Sequence, residues 1–229
     1  MRSTPVEQAE ADVIPARRLS DLAYNRILEC LFDRRVSAGA FVSQGELSQL
    51  VGVPVAPLRD ALRVLEAEGI LTIHPRSGIQ FVKPGLELTR STYQFRSILE
   101  RAAIRIFAEE ADEAEIDELS RRHAALVRSI EQGGLTEEGL VEMDALEHLL
   151  HGAVIAILRN PLIESTYRRM HNYLRLLRLD RKFTAPVVLR TLREHLAILA
   201  ACKARDANRA QAALDAHFQA AVHRNLGLL

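Results

Sequence analysis

Apolar residues recur at helical spacing in the first third of the chain and then change to strand spacing. The periodicity predicts helices from Leu19 to about Phe32, over 44–51 and over 57–68. Two β-rich runs with alternating apolar positions, 70–74 and 79–83, follow and are joined by a proline- and glycine-containing turn. Three helices followed by a hairpin predict a winged helix-turn-helix.

The rest of the chain has helical periodicity, interrupted at short intervals by glycine, proline or asparagine. Pro84-Gly85 separates it from the hairpin and makes a natural domain boundary. Because the connections are short, six consecutive helices predict an antiparallel all-helical bundle, so that the fold class is mainly α. The predicted helices cover about 89–111, 113–132, 137–159, 161–181, 186–204 and 207–226.

These patterns divide the chain into three parts. Residues 1–16 mix acidic and small residues without an apolar run and are expected to form a flexible tail. Residues 17–84 form the predicted winged helix-turn-helix domain, and residues 85–229 form the predicted helical domain.

Net charge, apolar run length and cysteine positions add three limits. Lysine plus arginine and aspartate plus glutamate both number 30, so the formal net charge is zero and DNA binding would depend on local arrangement. No apolar run reaches the ~18 residues that a membrane span needs. The two cysteines, Cys30 and Cys202, lie far apart in helical stretches, which is typical of reduced thiols. We therefore expect a cytoplasmic protein without a membrane partner.

The 57–68 helix is placed to be the recognition helix. In a helix-turn-helix the second helix meets base edges in the major groove with its N-terminal turns. Arg59 and Arg63 share a face of this helix, and Arg59 lies nearer its N-terminus, where a guanidinium can bind guanine or a phosphate. The hairpin contributes Arg76 at its tip and Lys83 at its exit.

Residues 19–83 resemble the winged-helix domain of the GntR family. The resemblance is carried by Gly52-Val53, by Pro57-Leu58-Arg59-Asp60-Ala61-Leu62-Arg63-Val64-Leu65-Glu66-Ala67-Glu68-Gly69 and by Pro75-Arg76-Ser77-Gly78. The family usually has a Ser-Arg-Thr-like trio where this chain has Pro54-Val55-Ala56, and an arginine where it has Gly45. Val55 and Ala56 can touch thymine methyl groups but cannot donate hydrogen bonds. We therefore expect the base specificity to depend on Arg59, on DNA shape and on the wing, which is the predicted hairpin of 70–74 and 79–83.

The predicted 137–159 helix carries ionisable residues among many apolar ones. Asp144, His148 and His151 stand at i, i+4 and i+7 and so project from one face. The helix is apolar around most of its circumference, which is typical of a buried helix. A buried carboxylate or imidazole is costly unless it is paired or binds a metal ion.

Two more histidines lie on the last two predicted helices. His195 is nine residues before Ala204, and His217 is eleven residues after Asp206, at the two sides of the connecting turn. At about 1.5 Å rise per residue, helices folded back on each other place the two at nearly the same level. One carboxylate and three imidazoles suit a divalent transition metal, with zinc favoured and nickel or manganese as alternatives. The alternative is that these histidines are unrelated and form local hydrogen bonds.

Residues 89–226 resemble the FCD ligand-binding domain that follows the winged helix in the FadR subfamily of GntR regulators. The matching pieces are Arg96-Ser97-Ile98-Leu99-Glu100, Asp144-Ala145-Leu146-Glu147-His148, Glu194-His195-Leu196-Ala197-Ile198 and Ala216-His217-Phe218. The resemblance implies that the metal ligands are Asp144, His148, His195 and His217, with Glu147 in place of the aromatic residue usual before the first histidine.

The resemblance also implies an effector pocket beside the metal. It places Arg96 at the ligand, and His171 and Asn172 lie level with His148 across the Asn160-Pro161 turn. His151 competes with His148 as a metal ligand and is otherwise assigned to the pocket. No role is expected for His74, His123 and His223.

We expect a bacterial transcriptional regulator, a repressor that binds operator DNA as a homodimer on a pseudo-palindrome and responds to a small organic acid. An open site of one carboxylate and three histidines could instead activate water in a metal-dependent enzyme. A third possibility is a DNA-binding scaffold with a purely structural metal.

Overall fold

The computed structural model describes residues 16–179 and 183–225. They divide into two compact units, one ending at Lys83 and the other beginning at Pro84. The predicted tail, 1–16, lies outside the described residues except for its last residue, which begins the first helix.

The N-terminal unit consists, within the described residues, of three helices and a small antiparallel sheet. Its order is α1 (Ala16–Phe32), β1 (Phe41–Val42), α2 (Gln44–Val51), α3 (Val55–Ala67), β2 (Leu71–His74) and β3 (Gly78–Phe81). α1 packs on α3, and both helices contribute fully buried residues: Ile27 and Leu31 from α1, and Leu58, Leu62 and Leu65 from α3. This is the predicted winged helix-turn-helix.

The turn between α2 and α3 is fixed by local hydrogen bonds. Ser43 caps α2 in a capping box with Glu46, and Gly52 ends the helix in the left-handed region at φ 64°. The Ser48 hydroxyl donates to the Val53 carbonyl at 2.7 Å, and Arg26 Nη1 donates to the Val51 carbonyl at 2.9 Å. The entry of α3 is therefore held rigidly.

The wing contains one strand more than the sequence pattern predicts. β3 pairs with both β2 and β1, so the strand order is β1-β3-β2. β1 has only two residues, too few for an alternating pattern to reveal. A Cβ on Gly78 would approach the Val42 carbonyl oxygen to 2.6 Å, so glycine at this position allows β1 to pair.

The C-terminal unit is an antiparallel helical bundle, as predicted. α9 packs on α4 and α8, while α5 packs on α8 and α6. Asp112, Thr136 and Asn160 cap α5, α6 and α7 through their side chains. The helices are α4 (Leu86–Glu110), α5 (Glu113–Gly133), α6 (Glu137–Ala156), α7 (Pro161–Arg178), α8 (Ala185–Lys203) and α9 (Ala207–Asn225).

Helix boundaries differ from the predicted ones by a few residues. α3 begins at Val55 rather than at 57, because a proline is tolerated throughout the first turn, where its N–H would have no helical partner. No helix among the described residues is long and apolar enough to cross a membrane.

Candidate metal centre and nucleic-acid interface

One carboxylate and three imidazoles meet in the core of the C-terminal bundle. Glu147 and His151 come from α6, His195 from α8 and His217 from α9. One ligand atom from each residue lies within 4.8 Å of all the others. All four residues are buried, with at most 2% exposure. Histidine and glutamate are residue types that bind transition-metal ions, so these four residues could hold one.

Two of the three imidazoles are oriented by carboxylates outside the cluster. His151 Nδ1 lies 2.5 Å from Glu100 Oε2, and His217 Nδ1 lies 2.8 Å from Glu194 Oε2. A carboxylate only accepts hydrogen bonds, so Nδ1 of each ring carries the proton and Nε2 carries a lone pair. Arg224 holds Glu194 in turn through two hydrogen bonds of 2.6 and 2.7 Å.

The third imidazole is oriented by another histidine. His123 Nδ1 lies 2.7 Å from the Leu119 carbonyl oxygen, and His123 Nε2 lies 3.1 Å from His195 Nδ1. The carbonyl can only accept, so the neutral His123 ring donates from Nδ1 and accepts at Nε2. His195 must then donate from Nδ1, and its Nε2 also presents a lone pair to the cluster.

Burial favours the neutral form of these rings. It lowers the pKa of His151, His195 and His217 below the usual value, and burial beside His195 lowers the pKa of His123 to about 4. Burial alone would raise the pKa of Glu147, but Arg178 and the other nearby cations lower it well below its usual range. The cluster therefore contains three neutral imidazoles and one carboxylate.

The atoms facing the centre are acceptors without donors. Nε2 of His151, His195 and His217 is buried in each case, and no described residue forms a hydrogen bond with it. His195 Nε2 lies 3.4 Å from Glu147 Oε2, and His151 Nε2 lies 3.5 Å from Glu147 Oε1. With the protons placed as above, lone pairs face a carboxylate at these distances. A cation at the centre would satisfy all four groups.

Two arginines border the centre. Arg96 Nε donates to Glu100 Oε1 at 2.7 Å and Nη1 to Glu147 Oε1 at 3.2 Å, while its buried Nη2 has no hydrogen-bond partner among the described residues. Arg178 Nη2 lies 2.8 Å from Glu147 Oε1. Burial would raise the pKa of Glu100, but Arg96 and His151 lower it to about 2. The two arginines and the two glutamates balance in charge.

The expectation that Asp144 and His148 face the bundle core is wrong. The Asp144 side chain is 52% exposed and pairs with Arg178 Nη1 at 3.1 Å, and His148 is exposed. The buried positions of α6 include Met143, Leu146, Leu150 and Val154 together with Glu147 and His151. Glu147 and His151 have the same four-residue spacing as the predicted pair, so spacing could not choose between them.

The predicted effector residues fall in two places. Arg96 and His151 belong to the buried centre, and His151 replaces His148 in it. His171, on α7, lies beside the exposed His148 of α6, with ring centroids 4.6 Å apart. Burial lowers the pKa of His171 to about 4. Asn172 follows His171 on α7 and is half-buried.

Sequence reasoning missed the residues that orient the imidazoles. The sequence predicts no role for His123, and its pattern does not assign Glu100 to His151 or Glu194 to His217. No single-helix pattern reveals them, because each meets its partner across helices. Glu100 is an exception, because it is a charged residue on the buried face of α4 that also carries Tyr93 and Ala103. A charged residue on such a face indicates a buried partner.

The predicted DNA-binding residues lie on the surface of the N-terminal unit. Val55 and Ala56 are exposed in the first turn of α3, and Arg59 follows one turn later. Arg59 Nε donates to Gln44 Oε1 at 3.1 Å, whereas Arg63 lies 3.6 Å from Asp60 on its own helix.

The wing residues are exposed as well. Arg76 occupies the hairpin turn in the left-handed region at φ 64°, and Lys83 follows β3 at the end of the unit. The surface at the start of α3 and at the wing therefore includes both apolar and cationic side chains. The cationic Arg59 is hydrogen-bonded to the neutral amide of Gln44.

A winged helix-turn-helix followed by an all-helical domain is typical of DNA-binding regulators. Residues 19–81 match the family of bacterial regulatory proteins called the gntR family, and residues 91–220 match the FCD domain. The chain belongs to the GntR family of transcriptional regulators that carry an FCD domain, and this family consists of regulators rather than enzymes.

Individual proteins are similar to this chain in sequence or in fold. The HTH-type transcriptional regulator YdhC of Bacillus subtilis (strain 168) is 25% identical over 198 residues, which is 85% of each chain. The fold is similar to that of Escherichia coli McbR/YncC, with a TM-score of 0.72 at 18% identity over 92% of this chain and 98% of the other. A metal-free FCD domain of TM0439 has a TM-score of 0.52 at 20% identity over 63% of this chain and 95% of the other.

Proposed function

We propose that the FCD domain binds one divalent transition metal ion through Glu147, His151, His195 and His217. The observation that supports this most directly is the convergence of three buried Nε2 atoms, each without a hydrogen-bond partner among the described residues, around one carboxylate. Three nitrogens and one oxygen suit zinc, nickel or manganese. This set retains His195 and His217 from the sequence-based assignment and replaces Asp144 and His148.

The outer residues would tune such a site. Glu100, Glu194 and His123 fix the three rings with Nε2 inward, which lowers the cost of organising the ligands when the metal binds. When bound, the metal would supply a positively charged Lewis acid with open coordination positions.

We further propose that the effector is a small organic acid bound beside the metal. Arg96 and Arg178 balance Glu100 and Glu147 in charge, so a divalent ion would add two positive charges that the exposed Asp144 beside Arg178 offsets only in part. An anionic oxygen ligand would offset them. Arg96 Nη2 is buried and unpartnered, so it is available to donate to a carboxylate.

The N-terminal domain would bind operator DNA through α3 and the wing. We propose a homodimer on a pseudo-palindrome, since a helix-turn-helix covers one half-site and two-fold symmetry supplies the second. The proposal includes repression of transcription by this dimer. Arg59, Arg63, Arg76 and Lys83 would supply the cationic contacts.

The test uses the full chain stripped with a chelator and reloaded with zinc, nickel or manganese. We expect one metal ion per chain by elemental analysis, and thermal stabilisation by short carboxylic acids only in the loaded protein. An equal response of the metal-free protein to the same acids would rule out the metal as part of the effector site. Loading without any acid response would support a structural metal instead.

A further inference from the structure

The N-terminal residue of α2 contacts the recognition helix. Gln44 Oε1 accepts a hydrogen bond of 3.1 Å from Arg59 Nε, although the two residues are fifteen positions apart. Gln44 is half-buried and Arg59 is exposed. The contact therefore lies at the surface, where the beginnings of α2 and α3 come together.

The backbone on both sides of this contact is held in place. Ser43 and Glu46 form the reciprocal capping box directly around Gln44, with bonds of 2.8 and 3.1 Å. Leu58, next to Arg59, is fully buried in the core of the unit. The Gln44–Arg59 hydrogen bond thus joins two residues whose backbone positions are held by the fold.

The hydrogen bond determines which groups remain for DNA. A guanidinium has five N–H donors, and one of them is used by Gln44. The two terminal nitrogens, Nη1 and Nη2, keep the end-on edge that binds O6 and N7 of guanine. Gln44 in turn keeps its amide nitrogen, which has two donors, and a second lone pair on Oε1.

We propose that Gln44 is a specificity-determining residue of this regulator. It holds Arg59 in an orientation suited to guanine and itself contacts the neighbouring base pair through its amide. Gln44 would thus supply from α2 some of the hydrogen bonds to bases that Val55 and Ala56 cannot form. The inference rests on the proposed placement of α3 in the major groove.

The experiment begins by selecting, with the full wild-type chain, duplexes from a DNA library with a randomised central segment. Gln44→Ala, Gln44→Glu and the control Gln49→Ala, which changes an exposed glutamine of the same helix, are then put through the same selection. We expect Gln44→Ala to weaken binding to the wild-type duplex about tenfold, as for a hydrogen bond to a charged group. It should also lose the preference at one base pair beside the guanine.

Gln44→Glu distinguishes the two roles. Its carboxylate can still accept from Arg59, but it carries no donor and is suited to the amino group of cytosine. We expect the preferred base at that position to move towards cytosine. Wild-type base preferences in both variants would overturn the proposal.

A double-mutant cycle with Arg59→Ala tests the positioning role. We expect the losses from Gln44→Ala and Arg59→Ala to be less than additive, because each removes the same hydrogen bond. Full additivity would overturn the positioning role. An unchanged affinity in Arg59→Ala would show instead that α3 is misplaced, which is a failure of the proposed function.

Discussion

Asp144 and Glu147 are two carboxylates on α6 with different surroundings. The Asp144 side chain is 52% exposed, whereas that of Glu147 is 3% exposed and contacts two arginines and two histidines. His148 and His151 differ in the same way. The chain therefore offers matched pairs of the same residue types on one helix.

His151→Gln and His148→Gln test the ligand set directly. We expect His151→Gln to lose bound metal, with a fall in affinity beyond the ~10–100-fold that loss of an outer-shell residue causes. His148→Gln should bind metal like the wild type. Affinity is measured by competition with a chromophoric chelator, and far-UV circular dichroism checks that both variants fold. Equal metal binding by the two variants would contradict the proposed centre.

His123→Phe tests the orienting chain at the third imidazole. Phenylalanine preserves most of the buried volume but removes the acceptor for His195 Nδ1, so the His195 ring loses its fixed tautomer. We expect metal affinity to fall by ~10–100-fold while one ion per chain still binds at saturation. His223→Phe, at an exposed position, is the control and should bind as tightly as the wild type. Unchanged affinity in His123→Phe would remove His123 from the site.

At the scale of elements, α3 combines an apolar entry with a cationic second turn. Val55 is 38% exposed at the first position of the helix, and Arg59 is one turn further on. If α3 enters the major groove as proposed, this apolar entry would leave more of the base recognition to α2 and to the wing. It also makes the entry a position where added polarity should alter DNA recognition.

Val55→Arg places a donor at the start of α3. We expect tighter binding to all duplexes, because one more cation faces the phosphates, and a changed base preference, because a guanidinium enters the groove. Selection from a randomised library measures the preference, and fluorescence anisotropy at two salt concentrations measures the affinity. Val64→Arg, on an exposed part of the same helix, is the control. A base preference identical to that of the wild type would show that the tip does not face the bases.

At the scale of the whole molecule, the proposed metal centre draws all its residues from one unit. Its four ligands come from α6, α8 and α9, and their supports come from α4, α5 and α8. Metal binding should therefore stabilise the C-terminal unit, while the N-terminal unit keeps its own core of α1 and α3.

Calorimetry of the loaded and the chelated chain tests this separation. At a free metal concentration about 1,000 times Kd, binding to the native state adds ~4 kcal/mol to its stability. We expect the Tm of the C-terminal transition to rise with metal and that of the N-terminal transition to stay constant. Calorimetry of the isolated N-terminal domain assigns the two transitions, because its Tm should match that of the transition that does not change with metal. A metal-dependent shift of both transitions would contradict independent units.

Local sequence patterns predict the helices and the hairpin in their correct order, although not the two-residue strand β1. Helical and strand periodicities depend on neighbours along the chain, as do caps such as Asn160 and stops such as Gly52, so the helices and the hairpin were predictable. The short connections between helices predict a bundle. Because His195 and His217 lie at similar distances from the turn that joins their helices, the sequence also predicts that they meet, as they do in the structure.

Which face of α6 is buried depends on how the other helices pack against it. Apolar residues surround that helix, so its pattern did not distinguish Asp144 and His148 from Glu147 and His151. Packing against α4, α5 and α8 selected the second pair and added His123, Glu100 and Glu194 as supports. β1 and the Gln44–Arg59 contact were hidden for the same reason. Each depends on residues distant in sequence, and a local pattern carries no information about which distant groups it will meet.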